Sequence, residues 1–146
     1  VSAYARPGRQ CAHNLNYWRF GDYLGIGAGA HAKLTLGADQ DILRRWKVKH
    51  PTAYLAAAGS PSSIGGDERI APERRPFEFM LNALRLHEGF ALADFEAWTG
   101  LPRSHLAVQL QTATDRGWLA CEQDRVRSTA LGRRFTNDVI ALFLTG

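Results

Sequence analysis

The sequence predicts an α+β chain in unequal parts, and three observations carry that expectation. Residues 1–56 have the texture of short strands and turns, with few large aliphatic side chains. From residue 77 onward, apolar residues recur at helical spacing. Between these parts, GSPSSIGGDERIAPERRP (residues 59–76) holds three glycines, three prolines and no hydrophobic periodicity, which favours an exposed connection. The expected plan is a strand-rich segment 1–56, a linker 57–76 and a mainly helical domain 77–146.

In the first part, YLGIGAGA is a run of small and apolar residues suited to a buried strand with close backbone approach. AKLTL and ILRRWKV follow as strands on either side of the turn GADQD. Four or five such strands make a poor core alone, so this part reads as the end of something larger. The first residue is Val1 rather than methionine, and an excised piece of a longer protein is expected.

In the second part, Phe77, Met80, Leu81 and Leu84 place an apolar face on a helix over 77–88, which Gly89 stops. Leu92, Phe95 and Trp98 face inward on a shorter helix, with Gly100 suited to the left-handed residue beyond its end. After the turn at Leu101-Pro102, Ser104 is an acceptable N-cap for a third helix, whose Leu106, Leu110 and Ala113 share one side before Gly117. WLAC and RVRSTA make two short strands around the polar turn EQD. Thr129 caps a last helix with Phe135, Val139, Leu142 and Phe143 on its apolar face. Three helices, a two-stranded wing and a closing helix give the order of a winged-helix domain, with the third helix in the recognition position.

Composition narrows the function classes. The chain has 146 residues, 45% hydrophobic and 22% charged, which suits one modest domain plus part of another and argues against wholesale disorder. No apolar run approaches the ~20 residues that a membrane crossing requires. A signal-peptide layout is also missing, so a cytoplasmic setting is expected. Cys11 and Cys121 are too far apart in sequence for a zinc knuckle or a cluster motif and are expected as free thiols. Residues 1–56 carry eight basic and three acidic residues, a net +5 against +4 for the whole chain, so residues 57–146 sum to −1. A duplex reader presents a basic face because phosphate neutralisation supplies most of its affinity, so nucleic-acid binding by the helical part is disfavoured.

The densest chemistry lies in CAHNLNYWRFGDYLGIGAGAHAKLTL, Cys11 to Leu36. Gly25, Gly27 and Ala30 satisfy the dinucleotide pattern GxGxxA, but that pattern needs a helix next, and HAKLTL alternates like a strand. The five histidines make no i, i+4 zinc pair, and no GxSxG elbow is present. His13 stands beside Asn14, four residues before Tyr17, with Trp18 and Phe20 following and Arg6, Arg9 and Arg19 around them. An imidazole ligates iron, flat aromatics stack on a macrocycle, and arginines pair with propionates, which together make the inventory of a haem or porphyrin site. The other reading of the same residues is a loop fastened by His13 and Asn14, with Tyr17 and Trp18 filling a core.

SAYARPG, HNLNYW, DYLGIGAGAH, RRPFEFMLNALRL and TGLP, in that order, resemble the C-terminal part of the oxygen-independent coproporphyrinogen III oxidase-like radical SAM proteins. The HNxxY pattern of His13, Asn14 and Tyr17 resembles the mark of the HemW-type haem-chaperone subfamily. The resemblance implies that residues 1–56 are residual strands from the end of a radical SAM partial barrel. It also implies a missing N-terminal portion whose CxxxCxxC motif holds a 4Fe-4S cluster and S-adenosylmethionine. No such motif occurs in these 146 residues, so the chain itself is not expected to be an enzyme. His13 becomes the candidate axial ligand of haem iron, with Asn14 and Tyr17 in support. Gly25, Gly27, Gly29 and His31 match the last barrel strand and would wall the cofactor cavity, and the winged part would be a cover or docking module. The expectation is therefore one wall of a haem or porphyrin cavity in a haem-chaperone-like protein, with a haem-receiving protein as a further partner. The alternative parent is a true oxidase that decarboxylates two propionates by radical chemistry.

Overall fold

The computed structural model of the chain describes residues 4–37 and 40–144. It contains two compact units, Val1–Gly21 with Pro72–Gly146, and Asp22–Ala71. The larger unit opens with helix α1 (Ala12–Trp18), where the sequence texture predicts strands and turns. Cys11 at its N-cap makes no side-chain capping bond, and the first turn holds no acidic residue. Local signals are thus weak, and the helix is held from its far end. Phe20, at φ 63°, is fully buried and meets the Phe79 ring at 5.6 Å.

In the smaller unit, β1 (His31–Leu36), β2 (Asp41–Lys47) and β3 (Ile64–Arg69) form an antiparallel meander in the order β1-β2-β3. The hairpin β1–β2 pairs Leu36 with Asp41 and Leu34 with Leu43, and the tip of the expected GADQD turn, Ala38 and Asp39, lies outside the described residues. Strand β3 falls within the expected linker, which corrects that assignment. Its acidic residues lie opposite the basic ones of β2, Glu68 across from Arg44 and Asp67 across from Arg45, with 3.0 Å between the Arg45 and Asp67 charges. The glycines that read as linker punctuation have a packing role. A Cβ on Gly66 would come within 2.5 Å of the Trp46 ring, so only glycine lets β3 pass over that indole. Between β2 and β3, helix α2 (Pro51–Ala57) begins with proline at a first-turn position where no amide donor is needed.

The expected buried strand over YLGIGAGA is also corrected. Within it Tyr23 alone forms a β-bridge, by two backbone bonds with Lys33, while Leu24 and Ile26 are 76% and 87% exposed. The glycines bend the chain instead. Gly27 and Gly29 have φ of 112° and 69°, and a Cβ on Gly25 would sit 2.3 Å from the His31 carbonyl oxygen.

The larger unit resumes with α3 (Arg75–Ala83), which ends earlier than the predicted 88, at a turn over 84–89 with Leu84 and Leu86 buried and His87 and Glu88 exposed. Gly89 closes this turn against the wing, where a Cβ would meet the Val126 carbonyl oxygen at 2.0 Å. Next come β4 (Phe90–Ala91), α4 (Leu92–Thr99) with Gly100 in the left-handed conformation beyond it, and α5 (Ala107–Asp115). Ser104 is not the N-cap of α5, because a 3₁₀ turn over Arg103–Leu106 intervenes. The wing strands β5 (Leu119–Glu122) and β6 (Arg125–Ser128) join β4 in a second antiparallel sheet, ordered β4-β6-β5. Thr129 caps α6 (Ala130–Arg134) by accepting the Gly132 N–H at 3.0 Å, and α7 (Thr136–Ala141) follows. Val139 and Phe143 are buried as expected, whereas Phe135 is 40% exposed and stacks on Trp118.

Phe79 organises this core. The rings of Phe20, Phe90 and Phe95 each meet it in near-perpendicular contacts at 5.0–5.6 Å, the edge-to-face geometry that aromatic quadrupoles favour. Helix α1, α3, the strand before α4 and α4 itself therefore share one aromatic cluster. Among the described residues, seven α-helices and two small antiparallel sheets make the chain α+β.

Candidate haem-binding helix and its cavity

Helix α1 carries the HNxxY residues, and its winding separates them. At about 100° per residue, His13 and Tyr17 lie one turn apart on one face, while Cys11, Asn14, Leu15 and Trp18 lie on another. His13 is exposed, and its ring meets the Tyr17 ring edge-on at 4.6 Å and 88°. The imidazole is therefore steered by an aromatic neighbour and open to solvent. Asn14 instead lines a cavity of about 370 Å³ with Cys11, Leu15 and Trp18. Asn14 thus turns to a different face of α1 from His13 and Tyr17, and Trp18 lines the same cavity as Asn14.

The opposite wall of the cavity comes from Tyr4, Pro7 and Arg9 of the leading segment and from Arg85, Leu86, His87 and Glu88 after α3. The sequence reading did not single out His87 as a site residue. The ring of His87 meets that of Tyr4 edge-on at 6.4 Å. Glu88, the one acid on the wall, points its carboxylate toward Arg19 at 3.4 Å. No local pattern marks His87, which reaches α1 only because α3 and the turn after it fold back on the aromatic cluster.

The other predicted residues belong to the smaller unit. Gly27 donates its N–H to the Tyr54 hydroxyl at 3.2 Å, and Gly29 donates to the Val48 carbonyl at 2.9 Å. His31 opens β1, exposed, with its ring tilted against Trp46 at 6.4 Å. Two residues on, Lys33 is buried to 3% exposure and donates to Asp22 Oδ1 at 2.9 Å. Asp22 also accepts from the Thr35 N–H and hydroxyl, both at 2.8 Å. Burial pushes the Asp22 carboxyl up, but the bonds from the Thr35 amide, Lys33 and the Thr35 hydroxyl outweigh it and hold the carboxyl below its ordinary value. For Lys33 burial dominates, and with Arg44 opposite it lowers the ammonium pKa despite Asp22. The dinucleotide reading fails here as expected, since the glycines lead into strand β1 and not a helix.

Among the described residues, no group of three or more His, Cys, Asp or Glu side chains is arranged to hold a bare metal ion. A single exposed imidazole suits a metal that brings its own equatorial ligands, as a macrocycle does. Helix α5, in the recognition position, contains no lysine or arginine, so it offers phosphates no cation of its own.

Residues 70–135 match the HemN C-terminal domain. That domain covers the turn bearing His87 and the whole wing, and the similarity extends beyond it. Over 145 residues, 99% of this chain, the sequence is 42% identical to the heme chaperone HemW of Haemophilus influenzae. It is 43% identical over 144 residues to that of Escherichia coli. The chain spans 37% of the length of each of these relatives. A heme chaperone HemW from Mycobacterium tuberculosis is 32% identical over 145 residues, 34% of its length. Among solved structures, coproporphyrinogen III oxidase (HemN) from Escherichia coli, described as a radical SAM enzyme, superposes with a TM-score of 0.55 at 15% identity. That superposition covers 84% of this chain and 28% of the other. At that identity the likeness shows a shared fold. Among the described residues, no helix is long and apolar enough to cross a membrane.

Proposed function

We propose that this chain supplies the haem-binding surface of a HemW-type haem chaperone, with haem as cargo and α1 as the element that holds it. The observation that carries this reading is the exposed His13 imidazole on α1, edge-on to Tyr17 one turn away. Identity of 42–43% across 99% of the chain to proteins named heme chaperones supports it. In this reading His13 ligates the iron, Tyr17 limits the swing of the ring, and Asn14 belongs to the cavity face behind. Exposure of the ligand suits a protein that must hand its cargo to a recipient, because a buried iron site would release slowly.

The same reading places this chain beside a radical SAM barrel with a 4Fe-4S cluster and S-adenosylmethionine, in the cytoplasm. The fold shared with a radical SAM enzyme supports that placement. Residues 1–56 would then close the barrel, and Gly25, Gly27, Gly29 and His31 would face the cofactor side. No observation favours the oxidase alternative, since likeness to the oxidase is at the level of fold alone. The test is haem titration of the full-length protein. Wild type is expected to give a Soret shift, and His13→Ala is expected to weaken binding at least tenfold. A mutant that matches wild type in spectrum and affinity would make His13 structural.

A further inference from the structure

A separate cleft of about 370 Å³ runs between α3, with the turn after it, and the pair α6 and α7. Its floor is apolar, built from Leu81, Leu84 and Ile140. Three arginines stand around that floor. Arg85 donates Nε to the Leu81 carbonyl at 3.2 Å, and Arg133 donates one terminal nitrogen to the Ser128 carbonyl at 3.0 Å. Each keeps further guanidinium N–H groups for a ligand, and neither forms an ion pair among the described residues. Arg134 is exposed, and its side chain makes no hydrogen bond or ion pair among the described residues. Asp138 is the one acid of the lining, so with His87 neutral the cleft carries a net +2. Residues 57–146 sum to −1, which makes that surplus local. The exposed Asn137 carboxamide also borders the cleft and has no side-chain partner among the described residues.

These groups discriminate among anionic ligands. Arg85 and Arg133 are tethered on different walls, so their charges are spread across the cleft and a lone phosphate meets one of them at a time. A nucleic acid draws its affinity from a broad basic face, which residues 57–146, at a net −1, do not offer. An apolar floor between cations suits an aliphatic side chain flanked by carboxylates, and arginine takes carboxylates by charge-assisted hydrogen bonds. A free carboxamide, with a donor group beside an acceptor, matches a peptide bond. We propose that this cleft docks an acidic segment of a partner protein. Carboxylates of the segment meet Arg85, Arg133 and Arg134, an aliphatic side chain rests on Leu81 and Ile140, and its main chain bonds to Asn137. None of these residues has a part in the haem reading, so the two stand apart.

The experiment is fluorescence anisotropy on the full-length protein with a labelled synthetic peptide that alternates glutamate and leucine. Two counterparts carry glutamine or lysine in place of glutamate. Wild type is expected to bind the glutamate peptide about tenfold more tightly than the glutamine one, with the difference shrinking as salt rises. Arg134→Glu should weaken the glutamate peptide about tenfold and strengthen the lysine peptide, a gain that a damaged fold would not produce. Arg85→Gln, on the other wall, should weaken the glutamate peptide severalfold. Equal wild-type affinity for the glutamate and glutamine peptides overturns the proposal, as does an Arg134→Glu protein that keeps the wild-type preference. Displacement of the peptide by inorganic phosphate, where sodium chloride of equal ionic strength leaves it bound, would make the cleft a small-anion site and overturn the peptide reading. Tighter binding of single-stranded RNA than of the peptide, lost in Arg134→Glu, would overturn it in favour of a nucleic acid.

Discussion

Asp22→Asn should loosen the three-stranded sheet far more than Lys33→Met, although the two residues form one ion pair. The asymmetry follows from burial, because the Lys33 side chain is 3% exposed and that of Asp22 is 37% exposed. Removing the carboxylate strands a buried ammonium, a change that typically costs ~3–5 kcal/mol. Removing the lysine leaves an acid that water reaches and that Thr35 still holds through two bonds at 2.8 Å. The lysine's own chemistry sets an upper limit on the Asp22→Asn penalty, because the stranded group can shed its proton. From an ordinary lysine pKa, deprotonation costs ~4.6 kcal/mol at pH 7 and only ~1.9 kcal/mol at pH 9. The direction agrees with the wild-type sheet. Burial lowers the Lys33 pKa, so between its folded and unfolded values the unfolded chain holds more protons and stability rises with pH. At the acid end, the lowered Asp22 carboxyl contributes stability that is present above the unfolded carboxylate value and is lost as pH falls through the folded one. The assay is hydrogen exchange of the His31–Leu36 amides in the full-length protein, corrected for intrinsic rates. At pH 7 Asp22→Asn should reduce protection by about 150-fold or more, and at pH 9 by no more than about 25-fold. Lys33→Met should change it less than tenfold at either pH. Equal losses in the two variants, or an Asp22→Asn loss that does not shrink with pH, would refute the reasoning.

Two further outcomes test the larger unit. A Cβ on Gly132 would sit 1.9 Å from the Trp118 carbonyl oxygen, a backbone atom with no rotamer to yield, so Gly132→Ala should lower stability by at least ~1–3 kcal/mol, read as a fall in the thermal midpoint. Arg103 accounts for the lowered Glu96 carboxyl, chiefly through its side-chain bond, and it also pairs with Asp124 at the wing turn. The link it makes should therefore persist above the ordinary glutamate range and fade as pH falls through the lowered value. Exchange at the Asp124 amide should rise in that acid window in wild type, and Glu96→Gln should flatten the dependence.

The helical part was legible in the sequence because its signals are local. Leu92, Phe95 and Trp98 repeat within one helix, Gly100 takes the left-handed conformation beyond it, and Thr129 caps α6 through its own hydroxyl. The strand-rich part was harder because its decisive contacts are distant in sequence. β3 looks like a linker until Trp46 is placed beneath Gly66, and the charge complement of Asp67 and Glu68 lies on a strand some 22–24 residues earlier. Exposed Leu24 and Ile26 mislead for the opposite reason, since apolar alternation in YLGIGAGA imitates a buried strand while the glycines bend the backbone away from one.

The site was hidden by the same physics. HNxxY reads as one constellation only while its backbone is unspecified, and once α1 is helical its second residue, Asn14, turns away from its first and last. The evidence that α1 is helical is itself tertiary. No cap or acidic first turn announces it, and its hold on the fold is Phe20 against Phe79, a contact between residues 59 positions apart. That contact also creates the cavity. By fixing the end of α1 on α3, Phe20 sets Trp18 opposite the turn that carries Arg85 and His87, so the face of α1 that lacks His13 acquires an imidazole from elsewhere in the chain. A helix anchored at one end can thus present two faces at once, one open to solvent at His13 and one turned to the cavity that His87 also lines.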